Sequence, residues 1–291
     1  MMLSLRLTAE KTMGRSRTWH TTHRSCSARA TPTPVRWRAT LSKVATTLGV
    51  ICATRAARSA AQAATTVVLP ATSDNSLFSE SGSLSDGAGP HLWVGQTNGG
   101  VNRRALLRFD LSQVPAGHVV VGARLRLFMS MTKFGIGRPV DMYRVTASWG
   151  EGTSSAGIGG TGFKASAEDA TWQFRFFGSG TPWGTPGGDF VAGPASASSV
   201  VGVSNSTQVW SGPGMVADVN LWLSAPSQNL GWILIGDETT SSAARYNSRT
   251  SPGAPVLELD LIPASANVPI PMAWLLVGGC ALLGVILKRR G

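Results

Sequence analysis

The chain has 291 residues, of which 43% are hydrophobic, and its formal net charge is +11 at pH 7. Residues 1–63 hold 11 Lys and Arg against Glu10 alone, whereas residues 64–287 hold 12 against 14 Asp and Glu. The central part lacks the basic surface that phosphate binding requires, which excludes a nucleic-acid partner for it. All three cysteines lie outside residues 64–263, which excludes a disulfide framework, a cysteine zinc site and a cysteine nucleophile there.

Residues 1–63 are predicted to be a basic leader that ends in a secretory signal. An apolar stretch, Val44–Ala53, precedes Ala61-Gln62-Ala63, which has the small-x-small form of a signal-peptidase site. We expect cleavage after Ala63. Because Arg55 and Arg58 interrupt the signal and the charged lead is long, a misassigned start or a disordered basic tail on a cytosolic protein stays open.

Residues 64–263 are predicted to form one all-β domain. Apolar and polar residues alternate with period two, as in half-buried strands, in three segments: 107–111, 123–129 and 257–261. Trp232–Ile235 is a continuous apolar run that suits a central strand covered on both faces. Many short strands, Gly-rich turns and one short helix predict a β-sandwich of jelly-roll type.

Two further elements of this domain are expected. The Gly-, Ser-, Thr- and Pro-rich stretch from Ala147 to Gly214 is predicted to form short strands and long surface loops at one end of the sandwich. The short helix should have Ser211 as its cap, Pro213 in its first turn and Pro226 just past its end.

Five segments of this domain follow an order seen in one family. They are Asp74–Glu80, Asn102–Leu111, Val114–Gly117, Ala123–Leu127 and Trp149–Gly152. Over roughly Thr66 to Ile262 the chain thereby resembles the DNRLRE family of extracellular bacterial β-domains. The resemblance implies a lectin-like jelly roll, often an accessory module of polysaccharide-degrading enzymes, with alginate-type acidic glycans bound by some members. The chain departs from this context in its long Gly-rich insertion and in standing without a catalytic partner.

No enzyme is predicted, because the domain has neither a Gly-x-Ser-x-Gly elbow nor a His-Glu-x-x-His motif. A sugar ring stacks on an exposed aromatic face, and Trp183, between Thr-Pro and Gly-Thr-Pro, is predicted to be such a platform. Trp149 is a second candidate, with a packing role as the alternative, whereas Trp222 and Trp232 are predicted to be core residues.

Arginines are the candidate contacts to an anionic glycan, because the planar guanidinium matches a carboxylate. Arg108, Arg124 and Arg126 occupy alternating, outward-facing positions of two predicted strands. We predict that they form a basic strip on one sheet face. The alternative is an ordinary solubilising surface in which they pair with Asp110 and Glu258.

Four loop carboxylates are candidate ligands of a structural calcium ion, which prefers six to eight oxygens from flexible ligands. They are Asp74, Asp86, Asp189 and Asp237. The alternative for each is a turn residue whose carboxylate caps nearby backbone amides. No cofactor is expected to be required.

Residues 268–291 are predicted to be a sorting segment with a transmembrane helix. It consists of a proline motif, an apolar run and a basic membrane stop, namely Val268-Pro269-Ile270-Pro271, Met272–Leu287 and Lys288-Arg289-Arg290. The run would rise about 24 Å as a helix, short of the ~30 Å hydrocarbon core, unless the cations snorkel.

This segment resembles the PEP-CTERM sorting tails in their Val-Pro-Leu-Pro variant, with Ile270 where leucine is usual. The resemblance implies export, membrane anchoring, cleavage by an exosortase-like enzyme, and an extracellular polysaccharide around the cell. A plain C-terminal anchor that is never processed stays open.

Together these patterns predict an exported protein, anchored in the membrane at its C-terminus and then placed in the cell envelope or extracellular matrix. There it would bind or organise extracellular polysaccharide, as in a biofilm, without catalysis. Two alternatives remain: a polysaccharide lyase or glycoside hydrolase on the same scaffold, and a structural surface or adhesion module. An enzyme should show a cleft in which two carboxylates, or Tyr, His and Arg, converge, and a binding protein should show a shallow aromatic or basic groove. A structural module should show neither, with a flat face that can pair with a neighbour.

Overall fold

A computed structural model describes residues 64–132, 135 and 137–264 of the chain. The predicted cleavage site at Ala61 and Ala63, the sorting motif Val268–Pro271, the transmembrane helix and the membrane stop Lys288–Arg290 lie outside the described residues. Within the described ranges, no helix combines the length and the apolar character needed to cross a membrane.

The described residues form fourteen strands, one α-helix and one 3-10 turn. In chain order they are β1 (Thr65–Phe78), β2 (Leu84–Ser85), β3 (His91–Gln96), β4 (Asn102–Phe109), β5 (His118–Thr132), β6 (Arg138–Arg144), β7 (Phe163–Lys164), β8 (Phe174–Phe176), β9 (Thr181–Pro182), β10 (Ala197–Val201), β11 (Ser206–Ser211), α1 (Pro213–Ser224), the 3-10 turn (Pro226–Gln228), β12 (Trp232–Gly236), β13 (Ala244–Asn247) and β14 (Val256–Pro263).

The main strands form two packed antiparallel sheets. In the front sheet β14 lies between β1 and β5, β11 and β13 both pair with β5, and β3 follows β13. The back sheet has the order β1–β4–β12–β6–β10. Strand β1 joins the two, since Thr65–Pro70 pair with β14 and Ala71–Phe78 pair with β4. The predicted β-sandwich with a single helix is confirmed for the described residues.

The period-two segments form strands with their apolar residues between the sheets. On β5 the side chains of Ala123, Leu125, Leu127 and Met129 are buried, and those between them point outward. Strand β12 lies between β4 and β6 and is buried on both faces, with Trp232 and Leu234 in the main core and Ile233 behind it. The continuous apolar run of β12 is thereby explained.

Helix α1 packs on β5 and inserts Met215, Val219 and Trp222 into the core. Asp218 fastens it to the back sheet, because its carboxylate accepts hydrogen bonds from the Trp232 indole (2.9 Å) and the Ser196 hydroxyl (2.5 Å). The predicted cap at Ser211 is wrong. Gly212 precedes the helix without a side-chain cap, and the residue before it ends β11, whose pairing with β5 holds it in the sheet.

The short strands predicted in the Gly-rich stretch are confirmed, since β7 to β11 lie in it. The predicted position of its loops at one end of the sandwich is wrong, because the stretch covers the outer face of the back sheet. Its apolar residues meet the outward side chains of β1, β4 and β12 in a second core, the back cluster: Leu77, Leu106, Val145, Trp149, Ala170, Trp183 and Ile233. The scattered tryptophans supply the apolar area that makes this coverage favourable. The outer face of the front sheet carries solvent-exposed residues such as Val209 and Arg126.

Candidate functional site

The exposed platform predicted at Trp183 is not formed. Trp183 is 4% exposed, and its indole N–H donates a 2.8 Å hydrogen bond to the carbonyl oxygen of Thr171. The prediction fails because the turns around Trp183 place the ring in the back cluster, where burying it removes a large apolar area from water. Trp149 is likewise a packing residue, 2% exposed, whose indole N–H donates to the carbonyl oxygen of Leu230 at 2.8 Å.

The basic strip of three arginines is also not formed, because β4 and β5 belong to different sheets. Arg108 on β4 lies behind the back sheet, with its guanidinium 5.2 Å from the ring centroid of Trp149 and a 3.0 Å hydrogen bond to the Ser73 hydroxyl. Arg124 and Arg126 lie on the front sheet. A period-two pattern shows that residues point outward from a sheet, but it does not show which sheet.

Arg124 and Arg126 face solvent but have acidic partners. Arg124 contacts Asp260 at 2.8 Å and Glu258 at 3.2 Å, and Arg126 lies 3.6 Å from Glu258. The alternative of pairing with Glu258 is therefore confirmed, whereas Asp110 accepts hydrogen bonds from Ser112 instead. Exposed pairs of this kind contribute only about 0–1 kcal/mol, but they neutralise the positive charge that would attract an anion.

A different arginine is better placed. Arg245 on β13 lies opposite Trp93 of β3 on one side and Met131 of β5 on the other. A register shift at this point leaves Ser130 out of the pairing, and the Ser130 hydroxyl accepts a 2.9 Å hydrogen bond from Arg245 Nε. The guanidinium carbon lies 5.9 Å from the Trp93 ring centroid. Among the described residues no carboxylate lies within ion-pair distance of Arg245, so its terminal nitrogens are available to a ligand.

A cavity of about 520 Å³ lies next to these paired residues, with Trp93 and Met131 in its wall, and we call it the Trp93 cavity. Its walls combine aromatic, thioether, hydroxyl and amide groups from β3, the β3–β4 turn, β5 and the loop before β13: Trp93, Thr97, Asn98, Gly99, Met131, Thr132, Ser241 and Ala243. Met131 is 40% exposed, and the buried indole N–H of Trp93 has no hydrogen-bond partner in the described residues. An aromatic wall with several hydroxyl and amide groups is typical of small polar ligands with an apolar face.

Another cavity, of about 600 Å³, lies between the β4–β5 loop and the end of α1, and two further ones measure about 480 and 360 Å³. None of the four has more than one carboxylate among its lining residues. The paired carboxylates that glycoside hydrolysis usually requires are therefore not found together in these cavities.

The four candidate calcium ligands separate into two kinds. Asp189 accepts backbone N–H bonds from Gly184 (2.8 Å) and Thr185 (2.9 Å), and Asp237 accepts from Thr239 and Thr240, so both are turn residues. The Thr240 and Thr239 hydrogen bonds also lower the pKa of Asp237. In the ranges that the structure covers, no group of three or more His, Cys, Asp or Glu side chains is placed to hold a metal ion.

Asp74 and Asp86 are different, because each is only 1% exposed and has one carboxylate oxygen without a hydrogen-bond partner. Asp74 accepts a 2.6 Å hydrogen bond from the Arg249 backbone, and Asp86 accepts one of 2.6 Å from Ala156. Burial raises the pKa of both to about 7. Each of the two carboxyl groups therefore changes between its neutral and ionised forms near neutral pH.

Residues 66–155 match the model of carbohydrate-binding module family 96. This segment contains β1 (apart from Thr65) to β6 and six of the eight lining residues of the Trp93 cavity, while Ser241, Ala243 and Arg245 lie outside it. No curated protein matches the chain.

Sequence reasoning did not select Trp93 or Arg245. Arg245 stands between Ala244 and Tyr246, which both point into the core, so the alternation marks it as an outward cation of a short strand. Trp93 lies in an almost wholly buried strand whose pattern gives no sign of a cavity at its end. Only the pairing of β3, β13 and β5 brings the two residues together.

Proposed function

We propose that the protein is a non-catalytic carbohydrate-binding protein whose ligand is an acidic extracellular polysaccharide. The observation that carries the proposal is the match of residues 66–155 to a carbohydrate-binding module family. The proposed binding surface is the Trp93 cavity together with Arg245.

The chemistry of this surface suits a sugar that carries a carboxylate. The planar fork of Arg245 can bind a carboxylate through two parallel hydrogen bonds. Met131, which is 40% exposed, provides apolar surface against the C–H face of a sugar ring. Trp93 is 7% exposed and adds the small accessible part of its ring to the cavity wall. The polar side chains of Thr97, Asn98 and Ser241 can exchange hydrogen bonds with ring hydroxyls.

The test is binding of the full-length chain to acidic oligosaccharides such as alginate hexauronate, followed by analysis for new reducing or unsaturated ends. We expect retention without cleavage and a loss of about tenfold in affinity for Arg245→Gln, equal to about 1.4 kcal/mol. Arg124→Gln is the matched control on the same sheet face, and it should change affinity less than twofold because Arg124 is already paired with Asp260.

Each other outcome would favour a different binding mode or a different function. Equal losses of affinity for Arg245→Gln and Arg124→Gln would show that several arginines of the sheet face attract the ligand and that Arg245 forms no specific site. Cleavage of the oligosaccharide would favour the lyase or hydrolase. Failure to retain any glycan would favour a structural surface or adhesion module.

The sandwich is further proposed to be of the jelly-roll class. Two four-strand orders support this assignment, β1–β14–β5–β11 in front and β4–β12–β6–β10 behind, with successive strands mostly alternating between the sheets. Calcium is kept as a proposal only at Asp74 and Asp86, because of their unpartnered oxygens. A calcium-dependent rise in melting temperature that Asp86→Asn abolishes would support it, and an unchanged melting temperature would exclude a bound ion.

Export and sorting are proposed on the sequence pattern alone. The small-x-small site at Ala61 and Ala63 and the segment Val268–Arg290 support secretion, anchoring and processing by an exosortase-like enzyme. Fractionation of cells that produce the chain with an epitope inside residues 64–263 tests this. The epitope should appear in the envelope or matrix, and a purely cytosolic epitope would rule the proposal out.

A further inference from the structure

The cavity of about 600 Å³ is formed by two segments that are far apart in sequence. The β4–β5 loop, residues 110–118, makes one wall, and the end of α1 with the following 3-10 turn makes the other. Its volume lies within the range of about 300–1,000 Å³ that is usual for small-ligand sites. Neither Arg245 nor any residue of the Trp93 cavity takes part in it.

Two polar atoms of its lining residues are buried without a hydrogen-bond partner in the described residues. They are the indole N–H of Trp222 and the amide oxygen of Asn229. Leaving a buried donor or acceptor unpaired costs about 1–3 kcal/mol, and a ligand that reaches these two atoms and offers both an acceptor and a donor recovers that cost. The Asn229 amide nitrogen is already committed to the carbonyl oxygen of Phe109 at 2.8 Å, which fixes the side chain.

The remaining lining narrows the ligand to an uncharged polyol. Asp110 is a second acceptor, and hydrogen bonds from the Ser112 backbone and hydroxyl lower its pKa, so it carries a negative charge at neutral pH. In the described part of the chain the lining has no Lys or Arg and one basic group, the imidazole of His118, so the carboxylate of Asp110 disfavours an anionic ligand. The apolar wall, which includes Val114 and Leu223, suits the C–H face of a ring.

From this geometry we infer a second sugar-binding site that takes a neutral pyranose, between Asp110, Trp222 and Asn229. The inference rests on the proposed function, because both sites bind carbohydrate. The two ligands differ in charge, since one sugar is acidic and the other is neutral. The molecule would then hold an acidic and a neutral sugar at two separate places, which is suited to connecting chains of a mixed matrix.

The experiment measures binding of the full-length chain to neutral probes, cellohexaose and mannohexaose, and to alginate hexauronate. Asp110→Asn keeps the shape of the side chain and weakens its acceptor, and Trp222→Phe removes the indole N–H. At least one neutral probe should bind, and each substitution should weaken it about tenfold, or about 1.4 kcal/mol, without changing uronate affinity. Asp260→Asn on the front sheet and Trp210→Phe, whose indole donates to Val140 in the core, are the matched controls.

The outcomes separate this inference from the proposed function. Uronate binding without any neutral binding overturns the second site alone, and so does neutral binding that Asp110→Asn leaves unchanged. Loss of both classes of ligand by the unmodified chain overturns both proposals. If Trp222→Phe lowers the melting temperature because Trp222 packs on Trp232, Asp110→Asn still decides the question.

Discussion

At the scale of single residues, the buried carboxyl groups of Asp74 and Asp86 make the stability of the fold depend on pH. The pKa of each is raised from 3.8 to about 7, chiefly by burial. Between about pH 4 and pH 7 the folded protein therefore holds protons that the unfolded chain has already released. Stability contributed by these two groups is fully present below about pH 4 and is lost as the pH rises through 7. His91 acts in the opposite direction, because burial lowers its pKa and disfavours folding as the pH falls.

Asp86→Asn should reduce the loss of stability between pH 5 and pH 8. The amide cannot ionise, so the variant avoids a charge whose burial costs about 1.4 kcal/mol for each unit of pKa shift. Urea unfolding at several pH values measures this, and the variant should be more stable than the unmodified protein at pH 8. Asp237→Asn is the control, because the lowered pKa of Asp237 confines its contribution to the pH slope to acid pH. An identical pH slope for Asp86→Asn would refute the assignment.

At the scale of elements, one tight contact joins two parts of the Gly-rich stretch that covers the back sheet. The Asp169 carboxylate accepts hydrogen bonds from Ser166 (2.5 Å) and Ser154 (3.4 Å), which joins two stretches of that segment. Gly152 adopts a φ of +74° directly against it, and a Cβ there would lie 1.5 Å from Asp169 Oδ1. The segment is therefore arranged around a position where only glycine fits.

Gly152→Ala should destabilise the protein more than Gly180→Ala. Gly180 has a similar φ of +61° with no atom within 4 Å of an added Cβ, so its substitution costs only the backbone strain of about 1–2 kcal/mol. Gly152→Ala adds a collision with the buried Asp169. Melting temperatures of the two variants measure the difference, and equal losses would show that the Asp169 contact does not constrain the segment.

The same elements show what could be read from the sequence. Strands β4, β5, β12 and β14 were predictable because a half-buried strand repeats every second residue and a doubly covered one is apolar throughout. The Gly-rich stretch has no hydrophobic period, so its burial of Trp183 was not predictable. The candidate site was missed for a related reason, since Trp93, Arg245 and Met131 come from strands that pair only through long-range register.

At the scale of the whole molecule, most of the positive charge lies in sequence segments outside residues 64–263. Residues 64–287 carry a net charge of −2, whereas residues 1–63 carry +10. The proposed site depends on one arginine, Arg245, so an anion that binds there displaces few counterions. A basic polyelectrolyte that releases many counterions instead loses about a thousandfold or more in affinity over a moderate rise in salt.

This difference gives a test of where an acidic polysaccharide binds. For a variant that lacks residues 1–63, raising NaCl from about 50 to about 500 mM should weaken alginate binding less than about tenfold, because few charges are screened. The full-length chain should show an added, steep salt dependence, since its leader attracts any polyanion. Affinities measured over a salt series for both chains, with Arg245→Gln in each, separate the two contributions. If the shortened chain keeps the steep salt dependence, many charges of the sandwich bind the polysaccharide rather than Arg245. If the shortened chain loses all binding, the leader alone binds the polysaccharide.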